Sequence, residues 1–169
     1  MKTFAIIFVV VLAVVGLGYW LFTSSAKPVD PSSKPGQLFD DLGATHINEG
    51  STDHPSYNSN PPTSGWHWPA AAPWGVYDNP EKDERYVHNL EHGGIWISYK
   101  PSAVTPETIT LLKDFAKRYR KIIVTPREAN DASISLAAWR RLENLDSYDE
   151  RKIVEFIEAH YDQGPEKVP

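Results

Sequence analysis

The stretch Val87-His88-Asn89-Leu90-Glu91-His92-Gly93-Gly94-Ile95-Trp96-Ile97-Ser98-Tyr99 constrains the fold more than any other part of the chain. Two imidazoles and a carboxylate fall close together, a Gly-Gly pair follows, and then comes an apolar run that reads as a strand. If the histidines lay on a strand they would share a face but stand about 13 Å apart at ~3.3 Å per residue. That is too far to share a metal with bonds of ~2 Å. On a helical turn the same spacing brings the two rings within about 6 Å. Paired glycines supply the positive-φ positions that end a helix. The reading is a helical turn carrying His88 and His92, a glycine stop, and a central strand, Ile95–Tyr99, apolar on both faces apart from Ser98.

Downstream the signals are regular. Thr105-Pro106-Glu107 marks a helix start, with Thr as N-cap and Pro at the first helical position. Ile109, Leu112, Phe115, Ala116 and Tyr119 then recur at helical spacing. Residues 121–125 predict a second strand ended by Pro126, residues 127–132 a polar loop, and residues 133–139 a third strand with Ile134, Leu136 and Ala138 on one face. Ser147 and Glu150 predict a capping box for a last helix lined by Ile153, Phe156, Ile157 and His160 and stopped by Gly164-Pro165. The order strand, helix, strand, strand, helix gives an α+β fold with a small mixed sheet and flanking helices. Residues 38–86 lack periodicity but carry Trp66, Trp68 and Trp74, so they read as an ordered irregular layer rich in His, Trp and Pro, wrapped against the sheet.

The other end of the chain is different. From Phe4 to Phe22 no charged residue occurs, a run just long enough for one transmembrane helix through a ~30 Å hydrocarbon core. Lys2 ahead of it and Tyr19-Trp20 at its far end suit an N-terminus inside and a domain outside the cytoplasmic membrane. The run exceeds the usual h-region of a signal peptide, which favours a retained anchor over residues 1–23; Ser24-Ser25-Ala26 keeps a cleaved signal peptide as the alternative. Residues 24–37, rich in Ser, Pro and Lys, read as a linker, and residues 38–169 as an extracytoplasmic α+β domain. The absence of cysteine excludes disulfides, thiolate ligands and lipidation at a lipobox. A net charge of −5 without a basic stripe excludes nucleic acid as the expected partner. The expected partners are the membrane and other subunits of a membrane complex.

One combination of blocks points to a family. It comprises Asn60-Pro61-Pro62-Thr63-Ser64-Gly65-x-His67, Gly75-Val76-Tyr77, the Val87–Gly94 stretch with its strand ending Tyr99-x-Pro101, Ala137-Ala138-Trp139 and Gly164-Pro165-Glu166. Together these resemble the bacterial family known as domain of unknown function 3105, over roughly residues 38–166. The resemblance implies a single-pass or exported protein and, for activity, little beyond a suspected link to transition metals. Where many relatives have Gly-Pro-His this chain has Gly65-Trp66-His67, and Trp74 stands where some carry a cysteine, so a thiolate ligand open to them is closed here.

Read from the residues, the expected site binds a metal. Imidazole is the commonest side-chain ligand, and His46, His67, His88 and His92 lie in the irregular layer or at its junction with the sheet, with Glu91 or Glu84 placed to orient one ring. Imidazoles without sulfur suit zinc or copper(II). The competing reading makes the histidines a structural hydrogen-bonding network in a non-catalytic accessory subunit, with the aromatic layer as docking face. A third reading takes His88-Asn89-Leu90-Glu91-His92 as the H-x-x-E-H of a zinc hydrolase with Glu158 as third ligand, although Gly93-Gly94 ends the helix at once. His54 is expected in solvent, as are Asp78, Glu81, Asp83 and Glu84 in an acidic turn, with Glu84 within reach of His88. His160 is expected to pack at the core edge. Trp66, Trp68 and Trp74 are expected to pack inside the irregular layer; the alternative is a platform for a sugar or peptide.

Overall fold

A computed structural model describes residues 34–167. The membrane-spanning run expected at residues 4–22 lies outside them, and among the described residues no helix is long and apolar enough to cross a membrane. The elements in chain order are β1 (Gln37–Leu38), β2 (Gly75–Val76), α1 (Asp83–Glu91), β3 (Ile95–Tyr99), a 3-10 turn (Pro101–Ala103), α2 (Pro106–Arg118), β4 (Ile122–Pro126), β5 (Ile134–Ala138), β6 (Arg141–Leu145) and α3 (Glu150–His160). The fold is α+β, with one mixed sheet of strand order β1-β6-β5-β3-β4-β2.

β3 is central, as its two apolar faces require. It runs parallel to β4, with Ile97 opposite Val124, and antiparallel to β5, with Ile97 opposite Leu136. Alternation along β3 sends Ile95, Ile97 and Tyr99 into a core with Leu112 and Phe115 of α2 and Ile153, Phe156 and Ile157 of α3. The other face puts Trp96 against Tyr86 and Leu90 of α1, Ala72 of the irregular layer, Ile123 and Leu142. Two cores of this kind explain why the whole of β3 is buried. Ser98, the one polar residue, stays satisfied by Asn130, whose amide donates at 2.9 Å.

The helix ends are local chemistry. The Thr105 hydroxyl accepts from the Thr108 amide with Pro106 at the first helical position, as expected. α1 stops through paired bonds from the Gly93 amide to the Leu90 carbonyl (3.0 Å) and the Gly94 amide to the Asn89 carbonyl (2.9 Å). This is the Schellman pattern, and Gly93 occupies its left-handed position at φ +77°. Only the first glycine is needed for the turn. Gly94 is needed for space, since a Cβ there would lie 2.4 Å from the Trp74 ring.

Several expectations need correction. The capping box at Ser147 and Glu150 does not form, because Asp149 is the N-cap of α3 and its carboxylate accepts from the Lys152 amide. A strand missing from the sequence reading, β6, pairs with β5 through a tight reversal at Trp139-Arg140, and Arg140 takes φ +62° without a glycine to announce the turn. α1 begins at Asp83, so Asp83 and Glu84 belong to its first turn and not to a solvated acidic loop. Asp83 pairs with Arg127 at 2.6 Å, and Glu84 is buried. The chain joins the sheet from Gln37, which pairs with Leu142. His160 packs edge-on to Phe156 and bonds the Pro35 carbonyl at 2.8 Å.

Candidate metal centre

The irregular layer is built so that two of its histidines stand side by side. The Ile47 amide donates to the His67 carbonyl (2.8 Å) and the His67 amide to the Thr45 carbonyl (3.0 Å), a single parallel bridge that pairs His46 with His67. A side-chain clamp holds the layer to α1: Asn89 accepts from the Ala72 amide at 2.9 Å and donates to the Ala72 carbonyl at 2.8 Å. His88 and Glu91 project from the last turn of α1 toward that bridge. The ring centroids of His46, His67 and His88 form a near-equilateral triangle, with separations of 4.9, 5.0 and 5.1 Å. Three imidazoles bound to one tetrahedral ion at ~2.1 Å have centroids about 5 Å apart.

Second partners fix which nitrogen of His67 and of His88 carries the hydrogen. His67 Nδ1 lies 2.8 Å from the Gly65 carbonyl and His88 Nδ1 lies 2.6 Å from the Trp68 carbonyl. A carbonyl only accepts, so both Nδ1 atoms carry the hydrogen, and in the neutral ring each Nε2 keeps a lone pair. His67 Nε2 points at Oε2 of Glu91, 3.0 Å away, while His46 Nε2 is 3.9 Å from the same oxygen. Burial pushes the His67 imidazole below its ordinary pKa, against the upward pull of the Gly65 carbonyl and the Glu91 carboxylate. The ring is therefore neutral near pH 7, and a lone pair faces a carboxylate.

One ligand atom each from His46, His67, His88 and Glu91 lies within 4.8 Å of the others. His92 does not join them. It belongs to an adjoining group of His88, Glu91, His92 and Glu166 that shares two members with the first. Burial and the neighbouring His88 lower the pKa of His92, with Glu166 opposing. Glu166 is a ligand-type residue that the sequence reading passed over; its only signal was membership of the Gly164-Pro165-Glu166 block. The C-terminal segment delivers it by bonds from the Asp162 amide to the Gly93 carbonyl (2.9 Å) and from the Glu166 amide to the Glu91 carbonyl (3.1 Å).

The family profile described as protein of unknown function (DUF3105) matches residues 49–169. The chain belongs to this family. No curated protein and no solved structure matches it. In this DUF3105 domain three of the blocks that carried the resemblance meet in space, since His67, then His88, Glu91 and His92, and then Glu166 are all members of the two groups.

Other sequence expectations fall elsewhere. Glu84 bonds His54 Nε2 at 3.2 Å and does not reach His88, and the His54 side chain is 7 % exposed, not solvated. Both sit against the aromatic layer, where His54 stacks on Trp66. Glu158 is exposed on α3 and enters neither group, so the hydrolase reading loses its third ligand. Trp68 is buried and Trp66 and Trp74 are half-buried, while the exposed large apolar side chains are Leu38, Val76 and Leu111. Among the described residues the tryptophans pack the layer and form no open platform.

Proposed function

We propose that this domain is a non-catalytic binder of one transition-metal ion, zinc or copper(II), held by His46, His67, His88 and Glu91. The observation that carries the reading is the His67–Glu91 contact. Two acceptors at 3.0 Å repel unless a proton or a cation lies between them. A cation held by both atoms relieves that repulsion, and the three imidazoles that converge there at centroid separations of 4.9, 5.0 and 5.1 Å supply its further ligands. The carbonyls of Gly65 and Trp68 act as the orienting partners that metal-bound histidines ordinarily have, fixing tautomer and ring direction. Three nitrogens and a carboxylate oxygen, with no sulfur, match the preferences of zinc and copper(II). The uncharged run over residues 4–22 supports a membrane-tethered, extracytoplasmic setting, in which the domain buffers or delivers the ion.

The test is metal analysis of the purified full chain after zinc or copper loading and desalting, with X-ray absorption at the bound metal. About one equivalent with imidazole scattering is expected, and His67→Ala is expected to abolish it. Retention of about a tenth of an equivalent or less by the wild-type chain overturns the reading.

A further inference from the structure

The group of His88, Glu91, His92 and Glu166 has its own geometry. His92 Nε2 lies 3.1 Å from His88 Nε2 and 3.1 Å from Oε2 of Glu166. Ligand atoms on one tetrahedral ion are about 3.4 Å apart for bonds of ~2.1 Å, so this set is as close to a coordination shell as the first. The two sets cannot be filled independently. His88 has one nitrogen to give, because its Nδ1 is held by the Trp68 carbonyl, and Nε2 is the atom that faces His92.

The sets also differ in access. His67 is sealed from solvent, whereas the His92 and Glu166 side chains are 17 % and 53 % exposed. Glu166 is nonetheless held in place, through its own amide on the Glu91 carbonyl.

We propose that His92 and Glu166 form an outer metal position that passes a zinc or copper(II) ion to and from the inner one through the shared Nε2 of His88. This rests on the metal-binding reading above. During the move His88 and Glu91 stay bound while His92 and Glu166 exchange for His46 and His67. The ion therefore never returns to full hydration between the two positions. A shared ligand allows one ion per chain, in either place, and makes the exposed pair the path of exchange.

The experiment follows zinc uptake by the full chain, and zinc release to a chelator, in stopped flow. It compares wild type with His92→Ala and Glu166→Gln, and uses His67→Ala as the inner control. Glu166 is exposed, so Glu166→Gln keeps the fold even if His92→Ala does not. Both outer variants are expected to retain about one equivalent, held by the four inner ligands that they leave in place. Their uptake and release rates are both expected to fall about tenfold or more. Unchanged rates overturn the relay and send the ion past the half-exposed His46. Two equivalents in wild type overturn it as well, since the shared nitrogen would then not be limiting. Loss of stoichiometry in Glu166→Gln assigns that carboxylate to a single site and likewise overturns it. A wild-type chain that binds no zinc or copper removes the underlying reading, an outcome distinct from the other three.

Discussion

Nε2 of His67 and Oε2 of Glu91 face each other at 3.0 Å, and the hydrogen of the His67 ring is already given to the Gly65 carbonyl through Nδ1. Glu91→Gln separates the consequences of this contact. A glutamine amide donates to the imidazole lone pair, so the metal-free domain is expected to keep its stability or gain up to about 1 kcal/mol. Metal affinity is expected to fall about 10–100-fold or more. Chelator-treated urea unfolding and competition titration measure the two effects. A destabilised variant with unchanged affinity would mark the pair as structural.

His46 and His88 contribute to the same group but stand on different support. The His46 side chain is half exposed and holds no hydrogen bond to the main chain in the site, whereas His88 is buried on the Trp68 carbonyl. His46→Ala is expected to weaken metal binding while shifting metal-free stability by less than about 0.5 kcal/mol. His88→Ala is expected to abolish binding and to destabilise by about 1–3 kcal/mol, because a buried carbonyl loses its donor. Equal stability losses in the two variants would contradict this division.

Gly164 lies against the backbone that carries the site. A Cβ there would sit 2.1 Å from the Glu91 carbonyl oxygen and 2.2 Å from the Gly93 nitrogen, neither of which is a flexible side-chain end. Gly164→Ala is expected to lift the C-terminal segment off the end of α1, at about 1–3 kcal/mol. The readout is amide hydrogen exchange, with protection lost at Asp162 and Glu166. Unchanged protection would show that the segment tolerates the added methyl.

The cap of α3 gives a clean comparison. The Asp149 carboxylate accepts from the Lys152 amide at 3.1 Å. Asp149→Ala is expected to cost about 1 kcal/mol, and Ser147→Ala less than about 0.5 kcal/mol. Thermal unfolding of the two variants decides it.

His160 links stability to pH. Burial holds its pKa below the ordinary imidazole value, outweighing the upward pull of the Pro35 carbonyl, while Lys34 and Arg141 push in the same direction as burial. The folded ring is neutral, and the unfolded ring takes up a proton below pH ~6.5. Its contribution is therefore complete above pH ~6.5 and is lost as pH falls toward the lowered folded value. His160→Gln keeps a donor for Pro35 without titrating. Its metal-free stability is expected to fall less steeply than wild type on acidification below pH ~6.5, although His67 and His92, also lowered by burial, keep a residual slope.

Much of the fold was legible because its signals are local. Thr105-Pro106 sets a helix start by satisfying free amides, Gly93 ends α1 by taking a conformation that other residues avoid, and the two-sided apolar run of β3 demands cover on both faces. β6 was not legible. Arg141-Leu142-Glu143-Asn144-Leu145 has no clean alternation, and the reversal before it uses Arg140 at positive φ, where sequence rules look for Gly or Asn. Ser147 and Glu150 match a capping pattern, but Asp149 lies nearer the helix start and takes the role.

The site divides in the same way. Sequence alone determined the side-chain chemistry of the group, imidazole and carboxylate without sulfur, and placed His88 and His92 on one helical turn, because both follow from residue type and short spacing. Tertiary structure decided which nitrogens are free, since the carbonyls of Gly65 and Trp68 reach the rings through folded loops. It also separated His92 from His46 and His67 and brought Glu166 to it across 74 residues of chain. No local rule carries such a pairing. It exists because the segment after α3 hydrogen-bonds to the end of α1, a contact between chain segments that only the folded backbone brings together.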